Sequence, residues 1–206
     1  MSTVARPERK RLLEAMLEEL VEKGYPALEV EAAVHRADLD GEEWSVRLPD
    51  KDACLLEAFA ELSDQMHAAI VEGCRSGHTW PEKIAGGLRV LLAELARRSA
   101  MAEALARVFP SIGPAALTHY QAFVEGLAPL LTPARELAQG VELPAAVELL
   151  AVGAGEAIVM ERIQAGATAE LPALGPEILF SVLVPFVGPE AARQAMRDER
   201  ARIARS

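Results

Sequence analysis

The spacing of apolar residues predicts α-helices along the whole chain. Over residues 8–23, apolar side chains recur at i and i+4, and Gly24 supplies the stop for this helix. The same spacing returns in a longer helix that Asp50 is placed to cap and that reaches about Cys74. Because no segment shows the apolar–polar alternation of a β-strand, we predict an all-α fold.

Two short helices are predicted between these two long ones. The first covers residues 29–37. The second begins at Asp40, which has Glu43 three residues later as in a capping box. It ends near Arg47, because Pro49 disfavours helical geometry in the residue before it. Two short helices joined by a tight turn are typical of a helix-turn-helix.

Proline and glycine residues divide the remainder into a helical bundle. A capping box of Thr79 and Glu82 marks its first helix, and an interruption is expected near Pro185. The predicted helices of the bundle after Cys74 cover residues 79–95, 101–110, 115–131, 144–164 and 176–205. We therefore predict two domains, a helix-turn-helix head over residues 1–49 and a helical bundle over residues 50–206.

Composition agrees with helical packing and limits the partners. Hydrophobic residues make up 51% of the chain and aromatic residues 4%, a mixture of mainly Ala, Leu and Val that suits close contact between helices. The net charge of −10 argues against a general electrostatic attraction to nucleic acid or to an anionic membrane. No uncharged apolar run reaches the roughly 18 residues of a membrane-spanning helix. Cys54 and Cys74 lie in helical patterns as core residues, so we expect a cytoplasmic protein.

Catalytic and metal-binding patterns do not emerge from the sequence. The four histidines lack ligand spacing, and the pair Cys74 and His78 is read as a coincidence. The glycines of Gly153-x-Gly155 fall inside a predicted helix with no preceding strand, so they are not a nucleotide-binding loop. We expect no enzyme, no cofactor and no metal.

The head resembles that of the TetR family of bacterial transcriptional regulators. The resemblance rests on Glu22-Lys23-Gly24-Tyr25, on Ala37-x-Leu39, and on Leu48-Pro49-Asp50-Lys51-Asp52-Ala53-x-Leu55. The family pattern there is Glu-x-Gly-Tyr, Ala-Gly-Val-Ser and Phe-Tyr-x-His-Phe-x-x-Lys-Glu-x-Leu. A weaker match runs from Glu156 to Gly188, where the family has its two dimerisation helices. The resemblance implies a DNA-binding homodimer with a ligand-binding bundle.

The residues that the family uses on DNA are altered in this chain. Trp44 stands for the family Phe, Ser45 for the phosphate-binding Tyr and Arg47 for the His, whereas Lys51 is retained. The N-terminal arginines could follow the DNA backbone or enter a minor groove. The candidate DNA-binding residues that the resemblance implies are Arg9, Arg11, Gly41, Glu42, Trp44, Ser45, Arg47 and Lys51.

The charge of the predicted head conflicts with its architecture. Residues 29–47 contain six carboxylates against Arg36 and Arg47, whereas a helix in a DNA groove has to offset phosphate charge. Carboxylates can nevertheless accept hydrogen bonds from cytosine amino groups, so Glu42 and Glu43 remain candidate base readers. Two hypotheses stay open: a repressor-type regulator that binds double-stranded DNA, or a TetR-fold interaction protein that has lost DNA binding and acts through protein partners.

The remaining predictions concern the bundle, namely its ligand pocket, its dimer interface and its C-terminal tail. The resemblance implies a pocket for a small, uncharged or weakly polar organic ligand and a homodimer with no membrane contact. The pocket candidates are Met66, Leu88, Leu92, Met101, Phe109, His119, Tyr120 and Phe123. The dimer-interface candidates are Val147, Leu150, Ala154, Ile158, Ile178, Phe180 and Leu183. The arginine-rich tail after Pro189 is expected to be a solvated helix with internal ion pairs, or else to dock on the acidic head.

Overall fold

A computed structural model describes residues 6–39, 50–138 and 142–205, without the side chains of Arg6, Phe109, Pro110 and Ser111. Every regular element in these ranges is helical, which confirms the all-α prediction. The α-helices in these ranges are α1 Arg6–Lys23, α2 Val30–Arg36, α3 Lys51–Cys74, α4 Trp80–Arg97, α5 Ser99–Ile112, α6 Pro114–Glu125, α7 Val147–Gln164 and α8 Gly175–Ile203. Short 3-10 turns at Tyr25–Ala27, Ala128–Leu130, Thr132–Leu137 and Thr168–Leu174 connect them.

Helices α1 and α2 pack through the apolar stripe read from the sequence. Met16 and Leu20 of α1 and Ala33 of α2 are buried. Gly24 ends α1 with φ of 73°, a left-handed conformation in which a side chain would be strained. Pro26 then fixes the 3-10 turn between the two helices. The helix stop at Gly24, the turn at Pro26 and the buried apolar side chains therefore all fit the same packing of α1 against α2.

The described residues form two compact units. One, the head unit, contains the residues up to Ser63 together with Ala100–His119; the other, the bundle unit, contains Asp64–Ser99 and the residues from Tyr120 onward. Helix α3 begins in the head unit and ends in the bundle unit. The domain boundary predicted after residue 49 stays a prediction.

A crossing of two helices at glycines shapes the bundle unit. A Cβ atom on Gly86 of α4 would lie 2.3 Å from the carbonyl oxygen of Gly73 on α3, and one on Gly87 would lie 2.6 Å from the Cys74 sulfur. Only hydrogen atoms in these positions let the two backbones approach so closely. The capping box predicted at the start of α4 is confirmed, since Thr79 and Glu82 bond reciprocally.

Helix α8 contains a sharp kink. The interruption predicted near Pro185 is present at Gly188, where the chain turns with φ of 77° and ψ of 168°. The segment after the kink folds back on the start of the helix, where Arg200 Nη2 lies 2.5 Å from Glu177 Oε1. By length and composition, the stretch Thr168–Ile203 could cross a membrane, but 44% of its most apolar window is buried within the protein.

Two further boundaries differ from the sequence prediction. The helix predicted over residues 115–131 ends at Glu125, and 3-10 turns follow where Pro129 and Pro133 interrupt helical hydrogen bonding. Pro144 lies outside α7, which begins at Val147, although the carbonyl of Pro144 accepts a bond from the Val147 amide. In both cases the observed helix boundary lies a few residues from the boundary predicted from the proline.

Candidate functional site

Tyr25 clamps the start of α3 to the connection between α1 and α2. Its hydroxyl donates to Asp52 Oδ1 at 2.7 Å, and this bond raises the pKa of the phenol. Lys51 Nζ donates to the Tyr25 carbonyl at 3.2 Å and lies 4.3 Å from the centre of the tyrosine ring. Asp50 caps the helix as predicted, accepting from the Ala53 amide at 2.8 Å. Three successive residues therefore hold the start of α3 in place.

Arg36 at the end of α2 is enclosed by carboxylates of α1. It donates to Glu19 Oε1 at 2.9 Å and to Glu22 Oε1 at 2.8 Å, and Glu18 Oε2 lies 3.5 Å away. Glu19 is only 3% exposed and also pairs with Lys23 at 2.5 Å. The Lys23 hydrogen bond, with that of Arg36, lowers the pKa of the Glu19 carboxyl. This Arg36 cluster was not foreseen, because Arg36 and Glu22 lie 14 residues apart in the sequence.

Four cations in the described part of the head unit, Arg9, Lys10, Lys23 and Arg36, pair with carboxylates of the same chain. Arg9 forms an ion pair with Glu57, and Lys10 lies 3.9 Å from Glu14. Arg9 and Arg11 are exposed on α1, whereas Lys51 is half-buried at the start of α3. The other candidate DNA-binding residues, Gly41, Glu42, Trp44, Ser45 and Arg47, lie outside the described residues.

Two of the pocket candidates line a groove of about 210 Å³ in the bundle unit. Leu88 and Leu92 of α4 face Leu179 of α8 across it. The half-buried candidates Met66, Tyr120 and Phe123 belong to the same unit but not to the lining of this groove. Met101 is half-buried and His119 is exposed, and both belong to the head unit. The side chain of the remaining candidate, Phe109, is not among those that the structure describes.

Tyr120 has a carboxylate partner that the sequence did not indicate. Its hydroxyl donates to Glu156 Oε1 of α7 at 2.5 Å. Burial, followed by this hydrogen bond, raises the pKa of the Tyr120 phenol far above its ordinary value. The bond places a polar pair between α6 and α7, where the apolar pattern alone indicates hydrocarbon contact. A lone Glu in an otherwise apolar helical stretch is the signal that could have revealed it.

The candidate interface residues divide by burial. Val147, Ile178 and Leu183 are buried within the single chain. Ile158 and Phe180 are half-buried, and Leu150 and Ala154 are exposed on α7. Leu150 is 65% exposed and its neighbour Leu149 44%, so this face of α7 presents large apolar side chains to the surroundings.

The tail is anchored in the bundle unit by a buried carboxylate. Glu190 pairs with Arg193 at 2.9 Å, as expected for a solvated helix. The expectation of a solvated side chain is wrong for Glu199, which is buried and accepts from Arg89 of α4 at 2.8 Å, although its internal ion pair is present. Arg202 also pairs with Glu199, at 3.1 Å. Because Arg89 lies 110 residues before Glu199 in the chain, the local sequence around Glu199 did not indicate this pair.

Comparisons with known proteins identify the fold. No protein-family model matches the chain, and no curated protein matches its sequence. Among solved structures, the fatty acid degradation regulator FadR from Bacillus halodurans has a TM-score of 0.70 at 16% identity, over 84% of this chain and 96% of that one. A protein from Mesorhizobium loti assigned to the TetR family has a TM-score of 0.66 at 17% identity, over 89% and 98%.

A further solved structure shares the fold. FadR from Thermus thermophilus, a TetR-family transcriptional repressor in complex with lauroyl-CoA, has a TM-score of 0.56 at 17% identity, over 93% of this chain and 94% of that one. At such low identity the similarity concerns the arrangement of helices and not individual residues. The helices of this chain therefore have the fold of the TetR-family transcriptional regulators.

Proposed function

We propose that this protein is a TetR-like transcriptional regulator, a cytoplasmic DNA-binding homodimer controlled by a small apolar ligand. The observation that supports the proposal is that helix α3 is held at both of its ends. Its first turn is held by Tyr25 through Asp52 and Lys51, and its last turn meets α4 at the glycine crossing. One continuous helix thus has a fixed attachment in the head unit and another in the bundle unit.

This arrangement supports a mechanical coupling between ligand and DNA. A ligand that changes the packing of α4 would act on the crossing at Gly73 and Gly86, and the stiff helix α3 would carry the shift to the Tyr25 clamp. In a twofold dimer, two heads must match half-sites at a set spacing, so a small shift spoils the fit. Ligand and DNA then weaken each other's binding by the same factor.

Mobility shift with the DNA upstream of the protein's own coding region tests the regulator directly. A specific complex is expected at near-physiological salt. Lys51→Ala should weaken binding to all sequences alike and reduce the slope of log affinity against log salt by about one unit. Lys83→Ala, an exposed lysine in the first turn of α4, is the matched control and should leave the slope unchanged. The loss of one unit of slope is what we expect if Lys51 contacts a DNA phosphate, and a Lys51 variant with altered base preference and an unchanged slope would contradict that contact.

The enclosed cations favour a second candidate, a TetR-fold interaction protein without DNA binding. Phosphate contacts supply most of the affinity of a DNA-binding protein. In the described part of the head unit, Arg9, Lys23 and Arg36 are already paired with carboxylates. Such a protein would act through a regulator with which it pairs, or through a basic partner.

Substitution of Glu42 and Glu43 separates the two candidates. At contact distance near a protein surface, a pair of unit charges is worth on the order of 4 kcal/mol before screening. If acidic side chains disable the head, Glu42→Lys with Glu43→Thr should create retention on heparin at low salt. If the same side chains read cytosines, the double variant should lose the specific complex and gain nonspecific binding. A wild-type protein that binds the upstream DNA specifically at near-physiological salt rules out the disabled head.

A further inference from the structure

An ion pair between Arg9 of α1 and Glu57 of α3 lies on the surface of the head unit. Arg9 Nε donates to Glu57 Oε1, and the two residues are 48 positions apart in the sequence, so the pair forms only in the folded chain. The side chain of Arg9 is 51% exposed and that of Glu57 is 33% exposed. A candidate DNA-binding arginine therefore already has an anionic partner, in a place that solvent reaches.

Two other cations of the head unit are held in different ways. Arg36 contacts Glu19, whose side chain is almost fully buried, so displacing Arg36 would remove a partner from a buried carboxylate. Lys10 lies 3.9 Å from Glu14 on its own helix, a loose contact between two exposed side chains. By comparison, the Arg9–Glu57 pair joins two helices in direct contact and is still open to exchange.

We propose that Glu57 holds Arg9 in place of a DNA phosphate, as an autoinhibitory ion pair that a polyanion has to displace. A guanidinium binds carboxylates and phosphates through the same planar set of N–H donors, so one anion can replace the other. Exposed ion pairs contribute little to stability, so their exchange costs little. Phosphate contacts are strengthened by counterion release at low salt, which favours the exchange on DNA. The inference rests on the proposed function, because it takes DNA to be the partner.

Heparin affinity at low salt measures the effect of the pair, since heparin is a polyanion without a base sequence. The wild type is compared with Glu57→Gln, with Arg9→Gln and with the double variant. Glu57→Gln should raise the affinity by about threefold, the scale of an exposed ion pair. Arg9→Gln should have little effect in the wild type but should cancel the gain in the Glu57→Gln background, because only there is Arg9 released from its partner.

Glu31→Gln is the matched control for net charge, because it removes an exposed carboxylate from α2 of the head unit. Its effect on heparin affinity should be the same in the wild-type and in the Arg9→Gln background. If Glu57→Gln also acts equally in both backgrounds, Glu57 works through net charge alone and the proposal is wrong. The proposal is equally refuted if no folded variant binds heparin at low salt. Circular dichroism establishes that each variant is folded.

Mobility shift of the same variants separates this inference from the proposed function. The upstream duplex is compared with a duplex of scrambled sequence. Equal binding to both duplexes, with the dependence on Arg9 and Glu57 that is expected on heparin, would contradict the specific regulator but support the autoinhibitory pair. A specific complex with the upstream duplex that is unchanged in Glu57→Gln would support the regulator and overturn the pair.

Discussion

Both tyrosines of the chain donate their hydroxyl hydrogen to a carboxylate, Tyr25 to Asp52 and Tyr120 to Glu156. Each phenol has a raised pKa, Tyr25 first because of its hydrogen bond and Tyr120 first because of burial. A folded pKa above the unfolded value stabilises the protein fully below pH about 10, the ordinary tyrosine value, and this stabilisation is lost at higher pH.

We expect the tyrosines of the folded protein to ionise at a higher pH than those of the unfolded chain. At pH about 10, half of the tyrosine of the urea-unfolded chain should be ionised, and much less of that in the folded protein. Near-ultraviolet absorbance measures this difference. Tyr120→Phe should remove the most delayed part of the transition and leave that of Tyr25. Folded protein that titrates like the unfolded chain would mean that these hydrogen bonds do not persist in solution.

At the residue scale, the Arg36 cluster also predicts acid sensitivity. The pKa values of the Glu19 and Glu22 carboxyls are lowered, first by hydrogen bonds from Lys23 and from Arg36 respectively. Carboxyls with lowered pKa values stabilise the folded state at neutral pH, and that contribution disappears as the pH falls below about 4.5. Arg36→Gln should therefore flatten the loss of stability between neutral and acid pH in urea unfolding. An Arg36→Gln protein with the acid dependence of the wild type would contradict this account.

At the element scale, the crossing of α3 and α4 depends on the absence of side chains. An alanine at Gly86 would place its Cβ 2.3 Å from the Gly73 carbonyl oxygen, so the helices must separate. Overpacking of this kind typically costs about 1–3 kcal/mol, against a gain of about 1 kcal/mol in helix propensity. Gly86→Ala should thus lower the free energy of unfolding in urea.

Gly153 of α7 is the matched control for this substitution. Apart from its two chain neighbours and the nearby backbone of its own helix, no heavy atom of the described residues lies within 4 Å of a Cβ built there. Gly153→Ala should leave stability unchanged or raise it by up to about 1 kcal/mol. A loss that depends on protein concentration would instead place Gly153 in the seam between subunits. Equal destabilisation by both alanines would refute the close crossing.

At the scale of the whole molecule, the exposed face of α7 offers a test of dimerisation. Leu150 is 65% exposed, and a charge at this position should abolish a dimer seam without disturbing the core of one chain. Leu150→Glu should therefore sediment as a monomer with an unchanged circular dichroism spectrum. Leu117→Glu, at a leucine that is 55% exposed on α6, serves as the control and should stay dimeric. A Leu150→Glu dimer would place the interface elsewhere.

Leu183 illustrates why burial has to guide such a choice. It shares the apolar pattern of the interface candidates, yet it is 0% exposed within its own chain. Leu183→Glu would bury an unpaired charge and unfold the protein, so the loss of a dimer would be uninformative. Sequence periodicity indicates that a side chain avoids water but not whether its own chain or a partner covers it.

The sequence by itself determined the features that depend on neighbouring residues. The stop at Gly24, the cap at Asp50 and the capping box at Thr79 follow from local hydrogen bonding and backbone freedom, and the structure has all three. The all-α fold follows in the same way, because the spacing of apolar residues reflects the period of a helix.

Only the tertiary structure decided which charges meet. Arg36 is enclosed by Glu18, Glu19 and Glu22, and Arg89 meets Glu199, in each case because folding brings together side chains that are far apart in sequence. The kink at Gly188 is of the same kind, since it returns the tail to the bundle unit. Pairs three or four residues apart on one helix follow from local spacing, as Glu190 with Arg193 does, but a pair between distant segments depends on distance in space and on burial, which local spacing does not encode.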